Sequence, residues 1–172
     1  MIFKVITQNI CHTVNPSGII DILRSKEPDI LFLQEVPHTS SELCDIVSHA
    51  SHVPYFAHTS LADGNKPGVG VIHKQSLHVS DVHALEPGRI LEVKVANQVF
   101  INIYAPAGSA QKGERRQLFN ETLLRNLQHR HVPLVICGDF NCVIDPVDTQ
   151  GNFANKKCDP PFVKNNSWKR ML

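Results

Sequence analysis

Apolar positions along this chain fall into two kinds of run, one with the period of a strand and one with that of a helix. IFKVITQN (2–9) is β-branched and partly alternating, which predicts a strand. DILFLQE (29–35) is almost continuously apolar, as a strand covered on both faces must be. Five more strand-like runs follow between residues 53 and 106: VPYFAHT, GVGVIHK, LHVSDVHAL, RILEVKV and QVFINIYAP, parted by Gly, Pro and Asn turns. VPLVIC (132–137) is the last strand. The helical runs are three. SGIIDILRSKEP (17–28) sets Ile19, Ile20 and Leu23 on one side, with Ser17 placed to cap its start and Pro28 to close it. SSELCDIVSHA (40–50) is short. AQKGERRQLFNETLLRNLQHRH (110–131) is the longest, with Leu118, Leu123, Leu124 and Leu127 as its apolar stripe.

Helices after the first, second and penultimate strands predict an α/β layered fold, two sheets with helices outside. Periodicity does not decide the topology. After Asp145 the pattern lapses, and the stretch 149–167, rich in Asn, Lys, Pro and Gly, reads as loop. The expectation is one domain over residues 1–148, followed by a polar loop or tail over 149–172.

Composition narrows the function classes. Apolar and charged contents of 42% and 19% are those of a chain that folds, not of a disordered one. A net charge of +1 exerts no global pull on nucleic acid or an anionic membrane, so any polyanion must be held by a local patch or a metal ion. No run approaches the ~20 apolar residues that span a bilayer, and MIFKVITQN turns polar too soon for a signal peptide. Five cysteines, an odd number without framework spacing, favour a reducing compartment. Cys137 and Cys142 have no second close pair to complete a zinc site, and the ten histidines are scattered without metal-ligand spacing.

The chemistry gathers where strands end. The first strand ends at Asn9 and the second at Gln34 and Glu35. Asn102 and Tyr104 stand two apart near the end of QVFINIYAP, so both point the same way. VPLVIC runs into Asp139 and Asn141. Each residue also has an ordinary reading: Glu35 as a surface cap or pair, Asn9 and the GDFN stretch as turns, Tyr104 as half-buried core. Brought to one edge, they would join two acids, several amides and a phenol on strand-end loops of a rigid scaffold. Phosphodiester cleavage calls for that set. A carboxylate-held Mg²⁺ neutralises the phosphate, a second carboxylate orients or deprotonates the attacking water, and amide N–H and phenol O–H groups grip the developing charge.

The order TQN (7–9), LQE (33–35), NIYAP (102–106) and GDFN (138–141) resembles the endonuclease/exonuclease/phosphatase superfamily, which includes deoxyribonuclease I and the apurinic/apyrimidinic endonucleases. GVGVIHK, GRILEVKV, the helix bearing ERRQLF, and GDFNCVIDPVD are most similar to the endonuclease domain of LINE-type non-LTR retrotransposons. The resemblance covers about residues 2–148. It implies a deoxyribonuclease I-like two-sheet sandwich flanked by helices and incomplete at its C-terminus. It also implies a metal-dependent endonuclease that nicks double-stranded DNA to prime reverse transcription. By the same resemblance Glu35 holds Mg²⁺, with Mn²⁺ able to replace it. Asn9 assists at the phosphate side and Asn102 supports it. Tyr104 contacts the scissile phosphate, Asp139 aligns or activates water, Asn141 holds the transition state, and Asp148 is a further acid. Glu35 and Asp139 are expected to face each other across one cleft.

The implied setting is nuclear, without a membrane, with a reverse transcriptase in the same polyprotein. Cys11 stands where some apurinic-type relatives carry a second metal-binding acid. The family's closing SDH motif is absent from this chain, which ends at Trp168–Leu172 and reads as a fragment or a decayed copy, inactive by itself. Two other readings remain open: a phosphatase or phosphodiesterase of the same superfamily acting on lipid or inositol phosphates, and a vestigial, non-catalytic binding protein.

Overall fold

The structure, a computed structural model, describes residues 2–64, 66–106, 113–128, 130 and 132–141. Asp148, the tail at 149–172, and Cys142 and Cys158 lie outside the described residues. The elements run β1 (Val5–Asn9), α1 (Ser17–Lys26), β2 (Ile30–Val36), α2 (Ser40–Ser48), β3 (Tyr55–Ala62), β4 (Lys66–Lys74), β5 (Val79–Glu86), β6 (Ile90–Val95), β7 (Gln98–Tyr104), α3 (Gly113–Leu127) and β8 (Leu134–Asp139). They form two four-stranded sheets, ordered β1-β2-β4-β3 and β5-β6-β7-β8. Each sheet has one parallel pair reached through a helical crossover, β1–α1–β2 and β7–α3–β8; the other pairings are antiparallel. The parallel pairs matter for the site, because each delivers two strand C-termini to the same end of its sheet.

Period-2 alternation sorts the core into three layers. On β2, Leu31 and Leu33 pack under α1 and α2 with Ile19, Leu23, Leu43 and Val47, while Ile30 and Phe32 turn inward. The inward pair meets Val69 and Val71 of β4 and, across the sandwich, Leu91, Val93 and Phe100 of the second sheet. On β7, Val99, Ile101 and Ile103 face Phe119 and Leu123 of α3. Both central strands are covered on both faces, which is why their sequences are near-continuous apolar runs.

Helix ends differ from the expectation in one place. Ser17 is the first residue of α1, not its cap. The N-cap is Pro16, which has no side-chain acceptor, and Asn15 Oδ1 instead accepts the Ser17 N–H at 3.0 Å. Glu27 closes α1 in the left-handed region (φ 44°) just before Pro28. The second helix starts on a capping box, with Glu42 N–H bound to Thr39 Oγ1 and Thr39 N–H to Glu42 Oε2. The Thr39 N–H and hydroxyl, both donating to Glu42 Oε2, hold that carboxyl below its ordinary pKa.

The stripe expected on α3 is also corrected. Leu118 is 60% exposed, whereas Arg116, Phe119 and Leu123 are buried, with Leu127 packed beside them. Positions 116, 119, 123 and 127 share one face at the 3-4-4 spacing of a helix, and Leu118 lies one residue, about 100°, off it. No described helix is long and apolar enough to cross a membrane.

Candidate active site

Glu35 owes its position to a β-bulge. Residues 31 and 33 face the helices, so regular alternation would send residue 35 there too. The β2–β4 register instead shifts between Gln34 and Val36, and Val36 takes the buried place on the helix side. Glu35 is left in the left-handed region (φ 59°) with its carboxylate turned toward the strand ends. A non-glycine residue held there costs about 1–3 kcal/mol and persists only when its surroundings enforce it.

Asn9, the last residue of β1, ties the two acids together. Its Oδ1 accepts the Cys11 N–H at 2.8 Å, which leaves Nδ2 to donate to Glu35 Oε1 at 3.0 Å and to Asp139 Oδ2 at 2.9 Å. The two carboxylate oxygens therefore lie within about 6 Å of each other, the span of two hydrogen bonds. Tyr104, at the end of β7, donates its phenol to Glu35 Oε1 at 3.1 Å. Burial, then the charge and hydrogen bond of Glu35, push its pKa up, so the phenol keeps its proton.

Asp139 ends β8. The strand residue before it must be glycine: Gly138 has φ 131°, and a Cβ there would lie 2.0 Å from the carbonyl oxygen of Ile103, its partner on β7. Asp139 Oδ1 accepts the Asn141 N–H at 2.9 Å, and Asn141 (φ 46°) donates its amide to the Ala105 carbonyl at 2.7 Å. Arg116, which the sequence reading did not select, pins this loop from α3. Its guanidinium donates to the carbonyls of Pro106, Phe140 and Asn141 at 2.9–3.0 Å.

Five of the selected residues thus meet at one edge of the sandwich: Asn9, Glu35, Tyr104, Asp139 and, through its backbone, Asn141. Asn102 stands apart. Fully buried between the sheets, it donates to the Leu33 and Gly70 carbonyls at 2.9 Å each and accepts from Gln34 Nε2 at 2.7 Å. Its amide is spent inside the protein, and alternation with Phe100 and Tyr104 is what points it there.

His12 was missed entirely. Its Nε2 lies 2.6 Å from Glu35 Oε2 although the ring is 57% exposed. A tight turn with consecutive left-handed residues, Cys11 and His12, brings it back over the site, and no feature of CHT in the sequence announces that turn. Two surface clefts, of about 560 and 400 Å³, are lined by Phe56, His58 and His73 and by Arg24, Glu27 and His49, and contain none of the site residues.

The donor set suits a hard cation. Glu35 offers two carboxylate oxygens at 16% exposure, with Asp139 bridged to it by one amide. Mg²⁺ takes one or two carboxylates and keeps several of its waters, so the residues present fit it.

Residues 6–169 match the model of the Endonuclease/Exonuclease/phosphatase family. Among solved structures, a 3′ phosphatase from Neisseria bound to a product DNA hairpin superposes with a TM-score of 0.66 at 20% identity, over 82% of this chain and 58% of that one. An AP endonuclease from Archaeoglobus fulgidus gives 0.65 at 22% identity, over 87% and 62%. A 3′–5′ exonuclease from Neisseria meningitidis gives 0.64 at 21%, over 81% and 58%. This chain therefore spans less than two thirds of each. At these identities the likeness is one of fold: two mixed sheets in a sandwich with flanking helices.

Proposed function

The chain belongs to the endonuclease/exonuclease/phosphatase family, and from that premise we propose that it is the nicking endonuclease domain of a LINE-type retrotransposon, a hydrolase of DNA phosphodiester bonds. The observation that carries the reading is the Asn9 amide spanning Glu35 and Asp139 across 130 residues of chain, with the Tyr104 phenol on the same Glu35 oxygen. Strand ends from both sheets converge on a single set of groups able to handle a phosphodiester.

In this reading Glu35 would hold Mg²⁺ or Mn²⁺, which when bound would supply neutralisation of the phosphate charge. Asp139 orients the attacking water and takes its proton; the Asn141 N–H on Oδ1 and the Asn9 amide on Oδ2 fix the carboxylate's plane for that task. Tyr104, kept protonated, would turn its O–H from Glu35 to a nonbridging oxygen as charge builds, while the Asn9 amide holds the two carboxylates in place and the Asn141 amide, bound to the Ala105 carbonyl, holds the loop that presents Asp139. Asn102 takes a positioning part, locking the β2 end under Glu35. Likeness in fold to a 3′ phosphatase bound to a product DNA hairpin and to an AP endonuclease supports double-stranded DNA as substrate. The motifs GRILEVKV and GDFNCVIDPVD support the retrotransposon assignment, with its nuclear site of action and a reverse transcriptase in the same polyprotein.

The test is relaxation of supercoiled plasmid with Mg²⁺ or EDTA, beside phosphate release from an inositol phosphate. It is run on the 172-residue chain and on the same chain extended by an SDH-bearing end. We expect Mg²⁺-dependent open circles and no inositol phosphate turnover. Asp139→Ala should abolish nicking while DNA binding survives, and Glu35→Ala should lose activity and metal dependence together. Phosphate release without nicking would replace this reading with the phosphatase one. DNA binding with no cleavage by either chain would leave a non-catalytic protein.

A further inference from the structure

Arg89, the last residue of the turn before β6, lies opposite Tyr104. The backbones are bonded, Tyr104 N–H to the Arg89 carbonyl at 2.8 Å, and Arg89 Nη1 donates back to the Tyr104 carbonyl at 3.3 Å. The guanidinium carbon lies 4.5 Å from the centre of the Tyr104 ring, whose hydroxyl reaches Glu35. The turn that carries Arg89 is itself fixed. Gly88 has φ 70°, its N–H is bound by Ser60 Oγ at 3.1 Å, and a Cβ there would strike Ala62 at 2.6 Å. The hairpin tip of one sheet is thereby seated on β3 of the other, and Arg89 has little freedom to lie elsewhere.

We infer that Arg89 is a positioning residue for Tyr104, its guanidinium clamping the ring so that the phenol stays aimed at Glu35 and at the phosphate site. A cation over an aromatic face is attracted by the ring's quadrupole, and here the same side chain also grips the ring's own backbone. Of its two halves, only the kinetic one rests on the nuclease reading; the geometric one does not. The competing explanation is that Arg89 serves as counter-ion to Glu86, a half-buried carboxylate whose charged form its guanidinium favours.

The chain has only two tyrosines, Tyr55 and Tyr104, so ring-labelled protein yields signals that assign themselves. Arg89→Gln should shift the Tyr104 ring signals and leave those of Tyr55 in place, while Glu86→Gln should move neither. Should Arg89→Gln disturb both rings, Arg89→Lys, which keeps a cation and most of the stem, decides: a selective Tyr104 shift supports the clamp. An unmoved Tyr104 in both variants, or the same shift from Glu86→Gln, overturns it.

In the form that nicks plasmid, Arg89→Gln should lower kcat about 3- to 30-fold, the rate equivalent of a cation–π contact. KM should change by less than about twofold, and Arg89→Lys should recover part of the rate. Added to Tyr104→Phe, Arg89→Gln should cost nothing more. A raised KM at unchanged kcat, or the full loss persisting beside Tyr104→Phe, would show that Arg89 acts on DNA directly. If no form nicks, the nuclease reading falls while the ring signals still judge the clamp.

Discussion

Glu35 is where the fold's strain and its chemistry coincide. Its left-handed backbone is the result of the β2 bulge, and the bulge is what swings the carboxylate from the helix layer to the strand ends. Replacing Glu35 separates the two. Glu35→Gly and Glu35→Ala lose the same carboxylate and the same bonds from Asn9, Tyr104 and His12, but only alanine keeps the φ penalty. Glycine should therefore leave the protein more stable than alanine by about 1 kcal/mol. Urea midpoints of the pair measure this, and equal midpoints would mean that the bulge relaxes once its side chain is gone. Tyr55 supplies a pH prediction. Its buried hydroxyl donates to the Pro28 carbonyl at 3.1 Å, and burial, then Glu27 and Asp29, push its pKa to about 12 from an ordinary 10.0. An acid whose folded pKa is raised holds its proton in the folded state after the unfolded chain has lost it. Its contribution is therefore complete below pH 10 and drains away between 10 and about 12. Tyr55→Phe should flatten that alkaline loss of stability, compared at pH 9 and 11.

At the scale of elements, α3 separates a pattern argument from a packing one. Four leucines suggest a stripe, yet the face that meets β7 carries Arg116, Phe119 and Leu123. Phe119→Ala should cost about 3–5 kcal/mol, because it empties a fully buried aromatic site. Leu118→Ala should change stability by less than about 0.5 kcal/mol. Parity between the two would overturn the assigned face. The helix also bears on the site, since Arg116 holds three carbonyls around Asn141 and thereby sets the loop that presents Asp139.

At the scale of the molecule, a buried polar chain keeps the two sheets in register. Thr7 Oγ1, Gln34 Nε2 and Asn102 Oδ1 are linked at 2.9 and 2.7 Å, and the Asn102 amide ends on carbonyls of β2 and β4. Asn102→Leu is close in volume but strands Gln34 and two carbonyls in a dry layer, so it should destabilise by about 2–4 kcal/mol. A loss under about 0.5 kcal/mol would show that water or a rearranged Gln34 replaces the amide. Because β2 carries Glu35 and β7 carries Tyr104, slippage between the sheets separates the groups that the site needs together.

Element type was readable in the residues, because strand and helix periods are properties of a few neighbours: DILFLQE and QVFINIYAP are buried central strands, and Glu35 and Tyr104 at their ends reach the candidate site, whereas Gln34 and Asn102 beside them are buried between the sheets. The turn reading of GDFN fails at Gly138, which lies within β8 and pairs with Ile103. Local patterns do not say which face of α3 meets a sheet, how β2 re-aims Glu35 by one extra residue, or that a turn after Asn9 folds His12 back onto that glutamate. Nor do they pair Arg89 with Tyr104 or drive Asn102 inward to clamp the sheets. Each of those depends on contacts between distant strands, up to 130 residues apart for Asn9 and Asp139, which arise only when the two sheets pack.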